Sequence, residues 1–240
     1  MSNKKILLLF DYDTTISNED SFCTVCKNVL PKDKFDHLIY LAKTDNYINC
    51  FNYGLKEMKK LNLTIEDLNK EYEKIAWTEG MDDLFNYIKE NKNKYSVVLF
   101  SSSIEYGLKY MLTYHKVIDI FDGINCTHTK ESNDNDQFLY AVQKFTHDCK
   151  ICNPCNCKTK DFKEYSKSHD MSIFSKVIFI CDGGNDLCLA KNLSKNDTVM
   201  PRKNLSLYKK LFSDPPNKVD CEVVAWTSGH DIIKYLKSLS

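Results

Sequence analysis

The sequence predicts an α/β fold, in which a parallel sheet of the Rossmann type carries a small all-helical cap inserted after its first strand. Three observations predict it. Apolar, β-rich runs recur at wide intervals, helical patterns separate them, and the interval after the first run is too long for a single crossover. Strands that alternate with helices are typical of parallel sheets. Ligands of such sheets bind at the carboxyl ends of the strands, so the residues that follow each strand are the candidates for chemistry.

The first predicted strand is the most apolar. Residues 6–10, ILLLF, contain no polar residue, which is typical of a strand that is buried on both faces. The further predicted strands are VVLF at 97–100, a weaker FDGINC at 121–126, VIFI at 177–180 and VVAW at 223–226. Helical periodicity lies between them in EYGLKYMLTY, LSLYKKLF and HDIIKYLKSL.

The long interval after the first strand predicts the cap. It contains helical patterns such as KFDHLIYLAK and IEDLNKEYEKIAW and no convincing strand. We therefore predict a core of residues 1–16 and 80–240 and a helical cap of residues 17–79. Insertions at this end of a sheet commonly act as lids over the site.

Composition excludes several classes of function. Lys plus Arg and Asp plus Glu both number 33, so no strong nucleic-acid footprint is expected. No apolar run is long enough for a signal peptide or a membrane span, and we expect a soluble, cytoplasmic protein with no membrane partner. Eleven cysteines, an odd number, favour reduced thiols over a disulfide framework. Nothing in the pattern indicates an oligomeric state.

Carboxylates and hydroxyls follow three of the predicted strands. Asp11 and Asp13 come after the first strand, Ser101-Ser102-Ser103 after VVLF, and CDGGND, at 181–186, after VIFI. If these strands are neighbours, the side chains converge, and clustered carboxylates favour a bound cation because they repel one another. All-oxygen ligands favour Mg²⁺. Since an extended Asp-x-Asp points its carboxylates to opposite faces, we expect a turn to begin at Asp11.

These residues resemble the motifs of the haloacid dehalogenase superfamily of phosphatases. FDYDTTI is similar to the first motif, Asp-x-Asp-x-Thr, Ser101 to the second and CDGGND to the fourth. Further residues resemble the phosphoethanolamine/phosphocholine phosphatases and the related pyridoxal phosphate phosphatases: the run from His147 to Cys152, Cys157-Lys158, DGGNDLC, MPRK and AWTSGHDIIKYL. The likeness covers nearly the whole chain and implies a haloacid dehalogenase-like core.

The resemblance implies the catalytic roles. Asp11 would attack phosphorus to give an aspartyl-phosphate. Asp13 would protonate the leaving oxygen and later activate the water that hydrolyses the intermediate. Mg²⁺ would be held by Asp11, the backbone carbonyl of Asp13, and Asp182, with Asp186 nearby.

The resemblance also implies the residues that bind the substrate. Ser101 and Lys158 would hold the phosphoryl oxygens, Asp186 would orient Lys158 or a water on the metal, and Asn185 would complete the pocket. Two acidic positions that bind the substrate's ammonium group in the amine-phosphate members are here Phe22 and Ser102. An aromatic wall suits stacking on a flat ring, as in pyridoxal phosphate or thiamine monophosphate.

Other functions use the same residues. A phosphoethanolamine/phosphocholine phosphatase, a phosphotransferase and a catalytically idle sensor of a phosphorylated ligand are the alternatives. The presence of Asp13 argues against the sensor, because binding alone would not need an acid–base. A small lid favours a small-molecule phosphate ester over a phosphoprotein.

A dense cysteine run allows two interpretations. Cys149, Cys152, Cys155 and Cys157 have ligand types and spacing that a structural Zn²⁺ could use, which would fix the loop that carries Lys158. The alternative is a set of reduced, structural thiols.

Overall fold

The computed structural model describes residues 4–132, 138–153 and 156–239. Within these ranges one sheet of seven strands has the order β4-β3-β2-β1-β5-β6-β7. Its strands are β1 (Lys5–Phe10), β2 (Tyr95–Ile104), β3 (Gly123–Glu131), β4 (Leu139–Val142), β5 (Phe174–Cys181), β6 (Thr198–Pro201) and β7 (Glu222–Val223). All neighbours are parallel except β3 and β4. The predicted α/β class with its parallel sheet is confirmed.

Ten α-helices connect or cover the strands in the described part of the chain. They are α1 (Ser21–Val29), α2 (Lys32–Thr44), α3 (Tyr47–Lys60), α4 (Ile65–Glu73), α5 (Met81–Glu90), α6 (Glu105–Tyr114), α7 (Lys158–Ser168), α8 (Leu187–Ala190), α9 (Ser206–Phe212) and α10 (Gly229–Ser238). No helix within the described residues has the length and apolar character needed to cross a membrane.

Strand β1 lies at the centre because both of its faces are apolar. Leu8 and Phe10 pack into one hydrophobic cluster, and Leu7 and Leu9 pack into a second cluster on the opposite face. Phe10 pairs with Leu99 of β2 on one side and with Ile180 of β5 on the other. This register brings the carboxyl ends of the three strands together, as the sequence predicted.

Helices α1–α4, which we call the cap, lie between β1 and the helix that precedes β2. The chain enters and leaves the cap side by side, because Ser17 and Trp77 form an antiparallel bridge. The Thr78 hydroxyl donates a hydrogen bond to the Ser17 carbonyl at 3.2 Å. The division into a core of residues 1–16 and 80–240 and a cap of residues 17–79 remains a prediction.

The cap also contacts the core away from the Ser17–Trp77 bridge. The Asn52 side chain of α3 donates to and accepts from the Ala141 backbone of β4, at 3.1 and 2.6 Å. Tyr72 of α4 is fully buried and packs directly against Gly107 of α6. These contacts hold the cap over the carboxyl end of the sheet.

The strand predictions differ from the structure in several places. Strand β2 extends to Ile104, so Ser101–Ser103 lie within the last residues of the strand and not after it. Strands β4 and β6 were not predicted, since each has only four residues. The last predicted strand, 223–226, is reduced to Glu222–Val223 followed by a bridge between Arg202 and Trp226.

Candidate active site

A tight turn follows β1 and brings both of its acids to one cavity. The backbone N–H groups of Thr15, Ile16 and Ser17 all donate to the Tyr12 carbonyl. Thr14 has a φ of 52°, a left-handed conformation that is rare for a β-branched residue and costs on the order of 1–3 kcal/mol. Asp11 and Asp13 line the same cavity in consequence.

Asp11 is held at both oxygens. Its Oδ1 accepts a hydrogen bond from the Tyr12 N–H at 2.7 Å, and its Oδ2 lies 2.7 Å from Lys158 Nζ. Burial raises the pKa of Asp11, the Lys158 ammonium opposes this, and Asp186 and Asp182 raise the pKa further. Lys158 alone therefore does not offset the burial and the neighbouring carboxylates that disfavour the ionised form of Asp11.

Lys158, the first residue of α7, links two of the carboxylates. Its Nζ lies 2.5 Å from Asp186 Oδ1, and its side chain is 1 % exposed. Burial disfavours its charge, but Asp11 and Asp186 outweigh burial and raise the pKa of Lys158. The ammonium is thus fixed in its charged form beside the predicted nucleophile.

The loop after β5 supplies the remaining acids. Asp186 Oδ2 accepts from the N–H groups of Asp182 and Gly183, at 3.2 and 2.7 Å. Asp182 accepts from the Thr14 and Thr15 hydroxyls, at 2.5 and 3.2 Å, and its pKa is raised to about 6, chiefly by burial and then by Asp186. The carboxylates of Asp11, Asp182 and Asp186 offer oxygens that lie within 4.8 Å of one another.

Asp13 stands apart from this trio and faces the cap. Its Oδ1 accepts the Ser21 N–H at 2.8 Å, at the first residue of α1. Burial, and next the negative charge of Asp20, raise the pKa of Asp13 to about 7. A carboxyl group of this pKa can both give and take a proton near neutrality.

The predicted phosphate-binding residues line the cavity or lie beside it. Ser101 and Ser102 belong to β2, and Asn185 Nδ2 donates to Ser102 Oγ at 3.4 Å. Ser101 Oγ accepts the Ser103 N–H at 3.0 Å, and the Ser101 carbonyl accepts from Asn156 at 3.2 Å. The Asn185 side chain packs closely against the Gly183 backbone, because a Cβ at Gly183 would lie 2.5 Å from Asn185 Oδ1.

The cavity between cap and core measures about 220 Å³. Its wall combines the strand-end residues with Asp20, the N-cap of α1, and with side chains of α1, α2 and α3, which are Cys23, Ala42, Tyr47, Cys50 and Phe51.

The prediction that Phe22 forms the aromatic wall is wrong. The Phe22 ring is 1 % exposed, packs edge to face on Phe51 at 5.0 Å and does not line the cavity. Phe22 lies on the face of α1 that also buries Val25 and Cys26, so its side chain points into the cap. Tyr47 and Phe51 supply the aromatic surface of the cavity, and Asp20 supplies a carboxylate there.

The cysteine run is brought together with a thiol that the sequence pattern did not include. Cys149, Cys152 and Cys157 converge with Cys188 of α8. Cys155 lies outside the described residues. Each cysteine within the described ranges is a free thiol. Cys188 lies 31 residues after Cys157, so no local spacing pointed to it.

Arg202 is a second residue whose place the sequence analysis missed. It follows β6, and its guanidinium donates to the Thr14 carbonyl and to Asn18 Oδ1, both at 2.7 Å. Arg202 therefore braces the strained turn that includes Thr14, directly after Asp13. Its position directly after a strand, in the segment MPRK, would have indicated a place at the site, but strand β6 was not predicted.

A parallel sheet with these acids at the ends of β1 and β5, a buried lysine and a helical cap defines the class of haloacid dehalogenase phosphatases. The same fold occurs in a phospho-aspartyl intermediate analogue of phosphoserine phosphatase, with a TM-score of 0.61, 16% identity and coverage of 97% of this chain and 99% of that chain.

The comparisons with sequences narrow the class to one family. The family model described as "Putative Phosphatase" matches residues 6–240, and the chain belongs to this family. It is 31% identical to pyridoxal phosphate phosphatase PHOSPHO2 of Homo sapiens over 244 residues, 98% of each chain. It is 25% identical to the phosphoethanolamine/phosphocholine phosphatase of Gallus gallus, over 98% of this chain and 89% of that protein. The predicted resemblance and the prediction of a phosphatase are confirmed.

Proposed function

We propose that this chain is a Mg²⁺-dependent phosphomonoesterase that hydrolyses a ring-bearing small-molecule phosphate through an aspartyl-phosphate on Asp11. One observation carries the proposal. A buried carboxylate, Asp11, is oriented by Lys158 and by the Tyr12 N–H, and a second carboxyl group with a pKa of about 7, Asp13, lines the same cavity.

The donor set fits a hard divalent cation. Asp11, Asp182 and Asp186 offer carboxylate oxygens, and the Lys158 ammonium offsets only one of their three charges. Mg²⁺ prefers such oxygen ligands, and Asp11 and Asp182 would hold it with Asp186 adjacent. When bound, Mg²⁺ would neutralise charge on the phosphoryl group.

The chain's own residues would carry out two half-reactions. In the first, an Asp11 oxygen bonds to phosphorus, the ester P–O bond breaks, and Asp13 gives its proton to the leaving oxygen. In the second, Asp13 takes a proton from water, which attacks phosphorus and releases Asp11 and phosphate. Lys158 and Ser101 would hold the phosphoryl oxygens, and Asn185 and Ser102 would shape the pocket beside them.

The cavity supports a small substrate with a flat ring. Its 220 Å³ lies below the roughly 300–1,000 Å³ of pockets that take drug-sized ligands, so a polypeptide substrate is disfavoured. Tyr47 and Phe51 offer aromatic surface for stacking. Pyridoxal 5'-phosphate and thiamine monophosphate have suitable rings, and relatives of this chain include a pyridoxal phosphate phosphatase.

Asp20 favours a second candidate. Its carboxylate lines the cavity and could pair with an ammonium group, as a phosphoethanolamine/phosphocholine phosphatase requires. The acidic positions that serve this purpose in those enzymes are Phe22 and Ser102 here, which weighs against this candidate.

We propose a cytoplasmic location, which is supported by the free thiols of the described cysteines.

The test is phosphate release with Mg²⁺ and with EDTA from pyridoxal 5'-phosphate, thiamine monophosphate, phosphocholine, phosphoethanolamine and p-nitrophenyl phosphate. We expect Mg²⁺-dependent release that Asp11→Asn abolishes, with a ring-bearing ester as the best substrate. A better rate with phosphocholine would favour the second candidate. Release to an added alcohol in preference to water would favour a phosphotransferase, and a folded protein that binds phosphate esters without turnover would favour a sensor.

A further inference from the structure

Four sulfur atoms meet beside the active site, outside the residues that the proposed mechanism uses. The Sγ atoms of Cys149, Cys152, Cys157 and Cys188 all lie within 4.8 Å of one another. Cys188 Sγ is 3.3 Å from Cys149 Sγ and 3.7 Å from Cys157 Sγ. In a tetrahedral zinc site with Zn–S bonds of about 2.3 Å, the sulfur atoms are about 3.8 Å apart. The four thiols therefore already have nearly the spacing of a zinc coordination shell.

The segments that carry these thiols suit a closed, structural site. Cys149 and Cys152 form a Cys-x-x-Cys pair in the loop before α7, Cys157 is the N-cap of α7, and Cys188 is the second residue of α8. Two ligands from one short loop and two from separate elements are typical of sites in which zinc cross-links the fold. Cys157 and Cys188 are 3 % and 5 % exposed.

His147 supports the loop and does not compete as a ligand. Its Nε2 lies 2.8 Å from the Asn153 carbonyl and 3.1 Å from the Asn156 carbonyl. Its Nδ1 accepts the Cys149 N–H at 3.2 Å. Both ring nitrogens are thus engaged with the backbone that carries the thiols.

Cys188 contacts two of the other thiols and also a hydroxyl group. The Thr159 hydroxyl lies 2.8 Å from Cys188 Sγ. Soft sulfur ligands of this kind favour Zn²⁺ over a hard cation such as Mg²⁺.

We propose that Cys149, Cys152, Cys157 and Cys188 bind one Zn²⁺ as a closed four-thiolate site. Four Zn–S bonds form and the S–H protons pass to solvent, so the step involves no oxidant or reductant. Cys157 directly precedes Lys158, and Cys188 follows Asp186 by two residues. The zinc would therefore tie together the two segments that carry the Lys158–Asp186 ion pair, and it acts as a positioning element.

The test measures metal content, which is independent of the phosphatase proposal. Protein is produced in zinc-supplemented medium, purified with a non-thiol reductant and dialysed briefly against EDTA. We expect about one zinc per chain. Exchange with Co²⁺ should give the intense visible absorption of tetrahedral cobalt thiolates, which reports on the wild-type protein even if a cysteine variant fails to fold.

Variants identify the ligands. Cys188→Ser and Cys149→Ser should lose the metal, whereas Cys155→Ser and Cys221→Ser, a buried thiol outside the cluster, should retain it. Wild-type protein without stoichiometric zinc would overturn the proposal, as would a Cys149–Cys188 disulfide found in a non-reducing peptide map. Loss of zinc in Cys155→Ser with retention in Cys188→Ser would overturn the ligand set.

Discussion

Lys158 Nζ lies 2.5 Å from Asp186 Oδ1, and neither side chain is more than 1 % exposed. Burying a charged pair this deeply costs desolvation free energy. Two further sets of contacts offset this cost: Asp11 also lies 2.7 Å from the Lys158 ammonium, and two backbone N–H groups donate to the other Asp186 oxygen. Asp186 thereby sets the position of the ammonium relative to Asp11.

Lys158→Ala should lower kcat/KM for any hydrolysed ester. The variant removes a fixed positive charge at the phosphoryl position, and losing one such donor costs on the order of 10²–10³ in rate. Lys163→Ala, an exposed lysine of the same helix α7, is the matched control and should keep wild-type activity. Equal kinetics in the two variants would remove Lys158 from the mechanism.

Asp20→Asn should shift the pH dependence to lower pH. The pKa of Asp13, about 7, is raised by burial and next by Asp20, so removing the Asp20 charge lowers it. Because Asp13 must be protonated to release a poor leaving group, kcat/KM falls as pH rises through its pKa, and this alkaline limb moves down in the variant. Asparagine still caps α1, as Asp20 does through the Cys23 N–H.

The pH profile has two controls. Asp33→Asn, an exposed acid of α2, should leave the profile unchanged. p-Nitrophenyl phosphate, whose leaving group needs little protonation, should show a smaller shift than an alkyl ester. An alkaline limb that stays in place or moves to higher pH in Asp20→Asn would contradict the assignment of Asp13.

Tyr47→Leu should weaken the selection of ring-bearing substrates. Stacking on an aromatic side chain contributes roughly 0.5–1.5 kcal/mol, which corresponds to a loss of up to about tenfold in kcat/KM. Phosphoethanolamine has no ring, and its hydrolysis should change much less. Tyr40→Leu, at a tyrosine of α2 that is 59% exposed, serves as the control. A uniform loss for all substrates would point to a structural effect instead.

Gly107→Ala should destabilise the contact between cap and core. A Cβ at Gly107 would overlap the buried ring of Tyr72, and overpacking typically costs 1–3 kcal/mol. Thermal or denaturant unfolding measures the loss, and the double variant with Tyr72→Leu should recover part of it. Gly123→Ala is the control, because its Cβ would meet Val98 at an ordinary 3.6 Å. Identical stability of the two alanine variants would contradict the packing described for α4 and α6.

The elements that sequence analysis predicted best are those with a strong local pattern. The uninterrupted apolar run of β1 and the periodicity of α6 match the structure closely. Strands β4 and β6 were missed because four residues give too little alternation to recognise.

The residues at the strand ends were predictable because topology alone brings them together. Asp11 and Asp182 each follow a long buried strand, and parallel strands end at one edge. Tyr47, Asp20 and Cys188 were not predictable in this way, since their place at the site depends on how the cap and α8 pack on the core. Phe22 shows the converse error, in which a position beside a motif was taken as exposed although its helix face is buried.

The Ser21 N–H that donates to Asp13 belongs to α1, the first helix of the cap, so the protonation state of Asp13 and the strength of this contact between core and cap are linked. An ionised carboxylate accepts a stronger hydrogen bond than a protonated one. On the proposed mechanism Asp13 loses its proton as the leaving group departs, and this strengthens its hydrogen bond to the cap. The phosphorylated form of the enzyme would therefore be the one in which this contact between core and cap is strongest.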